Sequence, residues 1–300
     1  MIKSLTGLFV LICCHVYAQQ EITEQELKQH IEYLTSDDLK GRYPGTPEND
    51  SIVSYLVEDF KSHGIQTLIQ EFPAVMRKDS SSVTTWNVLG FLEGKDPHLR
   101  EEVVILGAHY DHLGTKGGHI YNGADDNASG TAALLEIAEK LKANEHLLQR
   151  SVIFIAFGAE EQGLLGSKFF MENPIVPIKN IVLMLNMDML GHLNEHKHVY
   201  MGGAGTFPGG VELMKNLGER LQLNPIVHAG SVGGSDHVSF YQKGISVLGL
   251  HTGGHEHYHQ PTDTIELLNI PGIVLTSNYI YQTLMEITSS DRKMEFIKQD

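Results

Sequence analysis

Two adjacent aspartates, Asp125 and Asp126, sit in the run Tyr121-Asn122-Gly123-Ala124-Asp125-Asp126-Asn127-Ala128-Ser129-Gly130. The run is rich in turn formers and ends where a strongly helical segment, residues 131–148, begins. Paired carboxylates between glycines at the mouth of a helix make a poor core and a good grip for a hard cation, which prefers oxygen ligands. The expectation is that Asp126 bridges two metal ions and that acid and histidine clusters elsewhere supply the other ligands.

Those clusters lie where apolar strands stop. The strand at 103–107 runs into Ala108-His109-Tyr110-Asp111, the strand at 151–157 into Gly158-Ala159-Glu160-Glu161, and the strand at 181–187 into Asp188. The last apolar strand, 245–250, gives way to His251 and, beyond Gly253-Gly254, to Tyr258-His259. In an open α/β sheet the carboxyl ends of the strands share one edge, so these residues converge although they are distant in sequence. Singly, each has a blander role. His109 could be a hydrogen-bonded loop residue, Asp126 a helix cap, Glu160-Glu161 a solvated pair at a turn, and Asp188 the partner of a buried cation. Yet Asp188 closes an apolar run, where an unpaired carboxylate is costly or ionises abnormally. Four such placements at successive strand ends are not explained independently.

His255-Glu256-His257-Tyr258-His259 also fits the H-E-x-x-H pattern of zinc proteases, which needs a helix so that both histidines share a face. Gly253-Gly254 precede it and Pro261 follows, so a loop is expected there.

Positioning these groups requires a sheet with helices, and the two signals alternate from Glu102 onward. Helices are expected at 131–148, 163–171, 211–221 and 271–287, the last with proline in its first turn. Upstream, Thr23 and Glu26 form a capping box for a helix carrying Leu27, Ile31 and Leu34. A turn-rich segment covers 36–50, Ser51 opens a second helix stopped by Gly64, and strands follow at 67–72 and 83–92, the latter split by Gly90. Continuous apolar strands alternating with helices imply a sheet covered on both faces. The fold class is therefore α/β, as a single domain, with no linker or repeat between Gln19 and Asp300.

The 300 residues and a 41% apolar fraction suffice for one large domain of this kind. Lys3, the apolar run from Leu5 to Cys14 and the small-residue site Val16-Tyr17-Ala18 read as a secretory signal peptide over residues 1–18, leaving a catalytic domain over 19–300. The apolar run is too short to span a bilayer. Acylation of Cys13 or Cys14 is the lipoprotein alternative, although Ile12 or Cys13 rather than a small residue precedes each. Export to the periplasm or the extracellular space is thus expected. Both cysteines fall in that leader, so a metal site must be built from His, Asp and Glu. Without Lys3 the chain carries 21 Lys and Arg against 37 Asp and Glu, a net of −16 that disfavours nucleic acid as a partner.

Taken together, Gly107-Ala108-His109-Tyr110-Asp111, the run Gly123 to Gly130, Glu160-Glu161, Asn186-Met187-Asp188 and Tyr258-His259-Gln260-Pro261 resemble the secreted di-zinc aminopeptidases. That family also contains glutamate carboxypeptidase and is related to glutaminyl cyclases. The resemblance spans about residues 41–264 and implies one α/β domain with a central mixed, mostly parallel sheet and helices on both faces. By position it implies His109 and Asp188 on one zinc, Glu161 and His259 on the other, and Asp126 bridging them. Glu160 matches the catalytic carboxylate, Asp111 the acid that orients the ligand imidazole, and Asn127 a position where the family often has a cis peptide. Ser235-Asp236-His237 matches an acid and histidine lining the cleft. Several relatives carry a tyrosine three residues before that serine, where Val232 stands, so the carbonyl-polarising role passes to Tyr258.

The implied chemistry is hydrolysis. Two bridged cations share a water whose pKa falls toward neutrality, Glu160 relays its proton to the leaving amine, and Tyr258 helps to stabilise the gem-diolate. The expected activity is removal of N-terminal residues from peptide substrates with two Zn2+ per chain, Co2+ and Mn2+ also suiting nitrogen-and-oxygen ligands. Alternatives are glutaminyl cyclase chemistry with one zinc, a dipeptidase or carboxypeptidase of the same fold, and a peptide-binding relative without metals. The preferred N-terminal residue and the oligomeric state stay open, and the Gly-rich segments 115–122 and 202–210 are candidates to wall the cleft.

Overall fold

Hydrogen bonding along the apolar runs assembles an eight-stranded sheet in the computed structural model, which describes residues 20–230 and 232–299. The signal-peptide reading of residues 1–18 lies outside the described residues. The chain begins with α1 (Glu24–Leu34), α2 (Pro47–Ser62), β1 (Gln66–Val75), β2 (Ser82–Leu92) and β3 (Val103–His109). A small hairpin of β4 (Gly114–Lys116) and β5 (His119–Tyr121) precedes α3 (Gly130–Ala143), β6 (Ser151–Phe157), α4 (Leu165–Glu172) and β7 (Ile181–Met187). Then come β8 (His198–Gly202), α5 (Gly210–Arg220), β9 (Asn224–Val227), α6 (His237–Tyr241), β10 (Val247–His251) and α7 (Ile270–Thr288).

The strand order is β1-β2-β6-β3-β7-β10-β8-β9. The four central strands, β6, β3, β7 and β10, are mutually parallel, while β2, β1 and β8 are added antiparallel. Four adjacent parallel strands bring four carboxyl ends to one edge, and this is what gathers the site. Burial on both faces follows the two-residue period. Val104, Leu106 and Ala108 of β3 pack with α1, α2, α3 and α7, whereas Val103 and Ile105 pack with Phe170 of α4 and Phe240 of α6.

Strands β6 and β7 fall where the sequence places them, because buried parallel strands read as unbroken apolar runs. Helix α2 starts earlier than Ser51. Thr46 caps it, its hydroxyl accepting from the Asn49 N–H at 3.2 Å, and Pro47 occupies the first turn. Strand β2 passes through Gly90 without a break, pairing there with Thr67 and Phe154, and glycine marks close packing, since a Cβ would stand only 3.1 Å from Ile65 and 3.3 Å from Phe154. Strands β8 and β9, the β4–β5 hairpin and α6 have no counterpart in the expected elements. They are three to five residues long, so neither periodicity nor apolar run length marks them.

Candidate metal centre

Asp126 lies in an irregular turn, 124–129, whose backbone departs from helical geometry at Asp126 and Asn127 and carries a cis peptide between them. The turn is held from three directions. The Asp263 carboxylate accepts the N–H groups of Asp125 and Asp126 at 2.9 and 3.1 Å. The Asn127 amide donates to the Met187 carbonyl at 2.9 Å and accepts from the N–H groups of Gly130 and Met189, which ties the turn to the end of β7. Beneath it, the buried guanidinium of Arg42 donates to the carbonyls of Tyr110, Leu34, Asn122 and Gly123. Arg42 therefore clamps the segment after His109 to the segment before Asp126.

The Asp126 carboxylate faces two histidines. Its Oδ1 is 3.3 Å from His109 Nε2 and its Oδ2 is 3.0 Å from His259 Nε2. His109 Nε2 is also 3.5 Å from Asp188 Oδ1, and His259 Nε2 is 3.2 Å from Glu161 Oε2. The five residues expected as ligands thus share one neighbourhood, and His109, Asp126 and Asp188 form a compact trio able to hold an ion. A second trio includes a residue the sequence reading passed over. His112, wholly buried, places Nδ1 2.8 Å from Glu161 Oε1 and 3.9 Å from Asp126 Oδ2. His259 approaches the same two carboxylates more evenly, at 3.0 and 3.2 Å, so two imidazoles flank Glu161 from opposite oxygens. His112 lies three residues after His109 in a segment already singled out, the one signal that could have found it.

The roles of two other residues differ from simple expectation. The Asp111 carboxylate accepts the N–H groups of Glu160 and Glu161 at 2.9 and 3.3 Å, which fixes that turn at the end of β6. The His109 imidazole instead donates from Nδ1 to the Asp111 main-chain carbonyl at 3.2 Å, the carboxylate standing 3.9 Å away. Tyr258 stacks on His259 with ring centroids 3.9 Å apart and is 46% exposed, so its hydroxyl sits at the mouth rather than the floor of the site.

Charge distribution tests whether cations fit. Burial opposes ionisation of Asp126, yet the imidazoles of His109 and His259 overcome it and hold the carboxyl well below its usual range. For Glu161 burial acts upward and His112 and His259 bring it down to about 2. Burial equally disfavours a proton on His259, but Asp126 and Glu161 raise it to about 10. His109 behaves alike beside Glu160, Asp188 and Asp126. The carboxylates draw positive charge onto the nearest nitrogens, and divalent cations between the same atoms would supply that charge. Glu160 is different: burial, reinforced by Asp236, Asp188 and Asp111 against His109, keeps its carboxyl well above the ordinary range.

Residues 87–284 match the model of peptidase family M28. The chain belongs to this family. It is 28% identical over 267 residues to aminopeptidase YwaD of Bacillus subtilis, covering 85% of this chain and 57% of that protein. It is 30% identical over 237 residues to leupeptin-inactivating enzyme 1 of Streptomyces exfoliatus, covering 78% and 50%. The chain thus spans about half the length of these curated relatives. Its fold is that of a zinc aminopeptidase from Bacillus subtilis, with a TM-score of 0.76 at 17% identity over 94% of this chain and 99% of the other. Porphyromonas gingivalis glutaminyl cyclase shares the fold, with a TM-score of 0.74 at 20% identity over 88% and 98%.

In this M28 chain a cavity of about 550 Å³ opens over the centre, lined by Asp126, Glu160, Asp188, Tyr200, His237 and Tyr258 among others. Ser235 lines it too, accepting from the Asn186 amide at 2.9 Å, and the buried Asp236 follows it in sequence. The segment 255–259 is a succession of turns, as the flanking glycines and proline imply, so its H-E-x-x-H histidines do not share a helical face. One of them has other work: His255 Nε2 stands 3.1 Å from Asp125 Oδ2, and His192 stacks on His255 with centroids 3.9 Å apart. Two rings inclined at only 24° do not aim their nitrogens at one ion, so this trio is a tether for the loop. Asp263 and Arg42 were not legible as site residues, since each acts on backbone groups that only the fold brings near, and Asp125, singled out beside Asp126, anchors the loop through His255.

Proposed function

We propose that the protein is a two-zinc aminopeptidase acting on peptides with a free N-terminus. One observation carries this reading: a single carboxylate, Asp126, presents its two oxygens to two separate nitrogen-and-carboxylate clusters, His109 with Asp188 and His259 with Glu161. Those side chains would hold the two ions, and an all-nitrogen-and-oxygen donor set suits zinc, cobalt or manganese. Bound zinc would lower the pKa of water and polarise the scissile carbonyl. Two clusters sharing one acid favour two ions over the single zinc of the cyclase alternative.

Glu160 is placed to manage the proton. Its backbone N–H is fixed by Asp111, and its carboxyl, raised by burial and by neighbouring acids, can take a proton at neutral pH and release it to the departing amine. Asp188 lines the same cavity, where its negative charge suits the substrate ammonium. Tyr258, at the mouth, can donate its hydroxyl to the developing oxyanion once substrate covers it. Export after cleavage near Ala18 belongs to the same proposal, and N-terminal sequencing of secreted protein checks it.

Glu160→Gln should lower kcat by about 10²–10⁴-fold with both ions retained, whereas Glu161→Ala should lose metal. Free leucyl peptides should be cleaved and their N-acetylated forms spared. Full activity in the Glu160 variant, or rapid cleavage of blocked peptides, would sink the reading.

A further inference from the structure

A second cavity, of about 820 Å³, adjoins the first, and His259 lines both. The two differ in charge. No lysine or arginine lines the first, which instead carries Asp126, Glu160 and Asp188. The second is lined by four cations, Lys40, Arg77, Lys78 and Lys116, against two acids, Glu48 and Glu161, the latter already facing His112 and His259. Three separate segments deliver those cations: Lys40 precedes α2, Arg77 and Lys78 occupy the turn between β1 and β2, and Lys116 is on the β4–β5 hairpin. Lys40 is spoken for, its ammonium lying 2.5 Å from Glu48. Among the described residues Arg77, Lys78 and Lys116 have no carboxylate within ion-pair distance, Arg77 donating only to the Glu161 main-chain carbonyl at 3.5 Å, in a chain whose net charge is −15. Unpaired cations gathered in a concave site beside reacting groups, on an otherwise acidic protein, focus the local field toward anions.

The polarity across His259 matches that of a bound peptide. A chain whose ammonium sits by Asp188 runs past the centre, and each further residue advances it by about 3.3–3.6 Å. We propose that the cationic cleft receives a carboxylate on the peptide portion beyond the scissile bond, so that Arg77, Lys78 and Lys116 are specificity determinants favouring short or acidic peptides. The carboxylate can come from the peptide C-terminus or from an Asp or Glu side chain next to the cleaved bond. This rests on the aminopeptidase reading above.

Two substrate pairs separate the sources: Leu-Ala against Leu-Ala-NH2 for the terminal carboxylate, and Leu-Asp-NH2 against Leu-Asn-NH2 for the side chain. The zinc-loaded wild type should show a kcat/KM ratio of about tenfold in favour of the acid in at least one pair, the size several exposed charge contacts provide. The preference should sit in KM and fade between about 50 mM and about 0.5 M salt. In the double variant Lys78→Gln/Lys116→Gln the ratio should fall toward one. Because the ratio is read rather than either rate, a variant of lowered overall activity still decides the question. Equal efficiency on acid and neutral members of both pairs, or a preference unchanged in the double variant, overturns the assignment while leaving the aminopeptidase reading standing. Absence of turnover on all four peptides, and on the same pairs with Ala, Phe or Lys in place of the N-terminal Leu, overturns both.

Discussion

Asp126 and His259 approach to 3.0 Å, yet the chain holds them by different means. Asp126 is buried in a turn whose N–H groups are bonded to Asp263 and whose flanks are fixed by Arg42 and Asn127. His259 has a left-handed backbone, φ 55°, on a loop of short turns, and its side chain is 35% exposed. Rigid groups at strand ends are preorganised whether or not a ligand is present, whereas a loop ligand depends on a few tethers. The difference teaches where damage should appear. Changes on the strand side should cost the fold, and changes on the loop side should cost occupancy and substrate handling.

The largest effect on the fold is expected at Arg42. Burial lowers its pKa to about 10, and Asp126 and Asp111 resist that shift, so the guanidinium stays charged at neutral pH. Its donors satisfy four main-chain carbonyls around the centre. Arg42→Ala strands those carbonyls and opens a cavity, so it should destabilise by about 3–5 kcal/mol, measured by urea denaturation. Arg42→Lys should recover little, because one ammonium cannot reach four carbonyls in the same plane. A loss below about 1 kcal/mol would show that the clamp is redundant.

These tethers also mark the limit of what the sequence discloses. Strands β3, β6 and β7 were legible because buried parallel strands are unbroken apolar runs. The acids and histidines that end them stood out because such groups are expensive there. Arg42 was not legible: within Gly41-Arg42-Tyr43-Pro44 it reads as a turn residue, and only the meeting of four distant carbonyls gives it a purpose. Asp263 is hidden for the same reason, and so is the role of Asp125, since their partners are up to 138 residues away. His112 was overshadowed by His109 and Asp111 beside it. Strand β9 pairs in parallel with β8 across α5, and β8 alone joins them to β10; both are short and partly exposed, so local periodicity could not register them.

A smaller effect sharpens the comparison through two histidines of opposite character. His237, packed under the strand side, is lowered to about 4 by burial, with Asp188 opposing and His251 assisting. His255, on the loop, is raised by its hydrogen bond to Asp125, against burial. For His237 the unfolded chain binds the proton first, so stability should fall as pH drops below 6.5, and the cost should be complete below about 4. A shift of this size corresponds to about 3 kcal/mol. His255 has the opposite sign: its contribution is present below the unfolded pKa and is lost as pH rises through the higher folded value. Urea denaturation of wild type and His237→Gln at pH 7 and pH 4.5 should show the variant losing less on acidification. Parallel losses in the two proteins would mean that His237 is not held neutral.

The smallest effect tests the tether itself. His255 Nε2 meets Asp125 Oδ2 at 3.1 Å, while Asp125 Oδ1 accepts from the Gly191 N–H and the Ser129 hydroxyl, so the loop is anchored to the residue beside Asp126. His255→Ala removes the loop's half of this contact and leaves Asp125 Oδ1 bonded to Gly191 and Ser129 but Oδ2 without its partner, so a modest loss of stability of about 1 kcal/mol should accompany it. With the tether gone, His259 samples positions away from Asp126 and Glu161, and each departure subtracts from its time as a ligand. Zinc affinity measured by chelator competition should weaken by about tenfold for the more weakly held ion only, the range typical of groups that orient a ligand. Turnover should return when zinc is in excess, since Glu160 and the strand-side residues are untouched. Unchanged affinity for both ions would mean that the Thr252 N–H to Met189 carbonyl contact at 2.8 Å and the Asp263 turn suffice to place His259. In that case the loop would be as preorganised as the strand ends it faces.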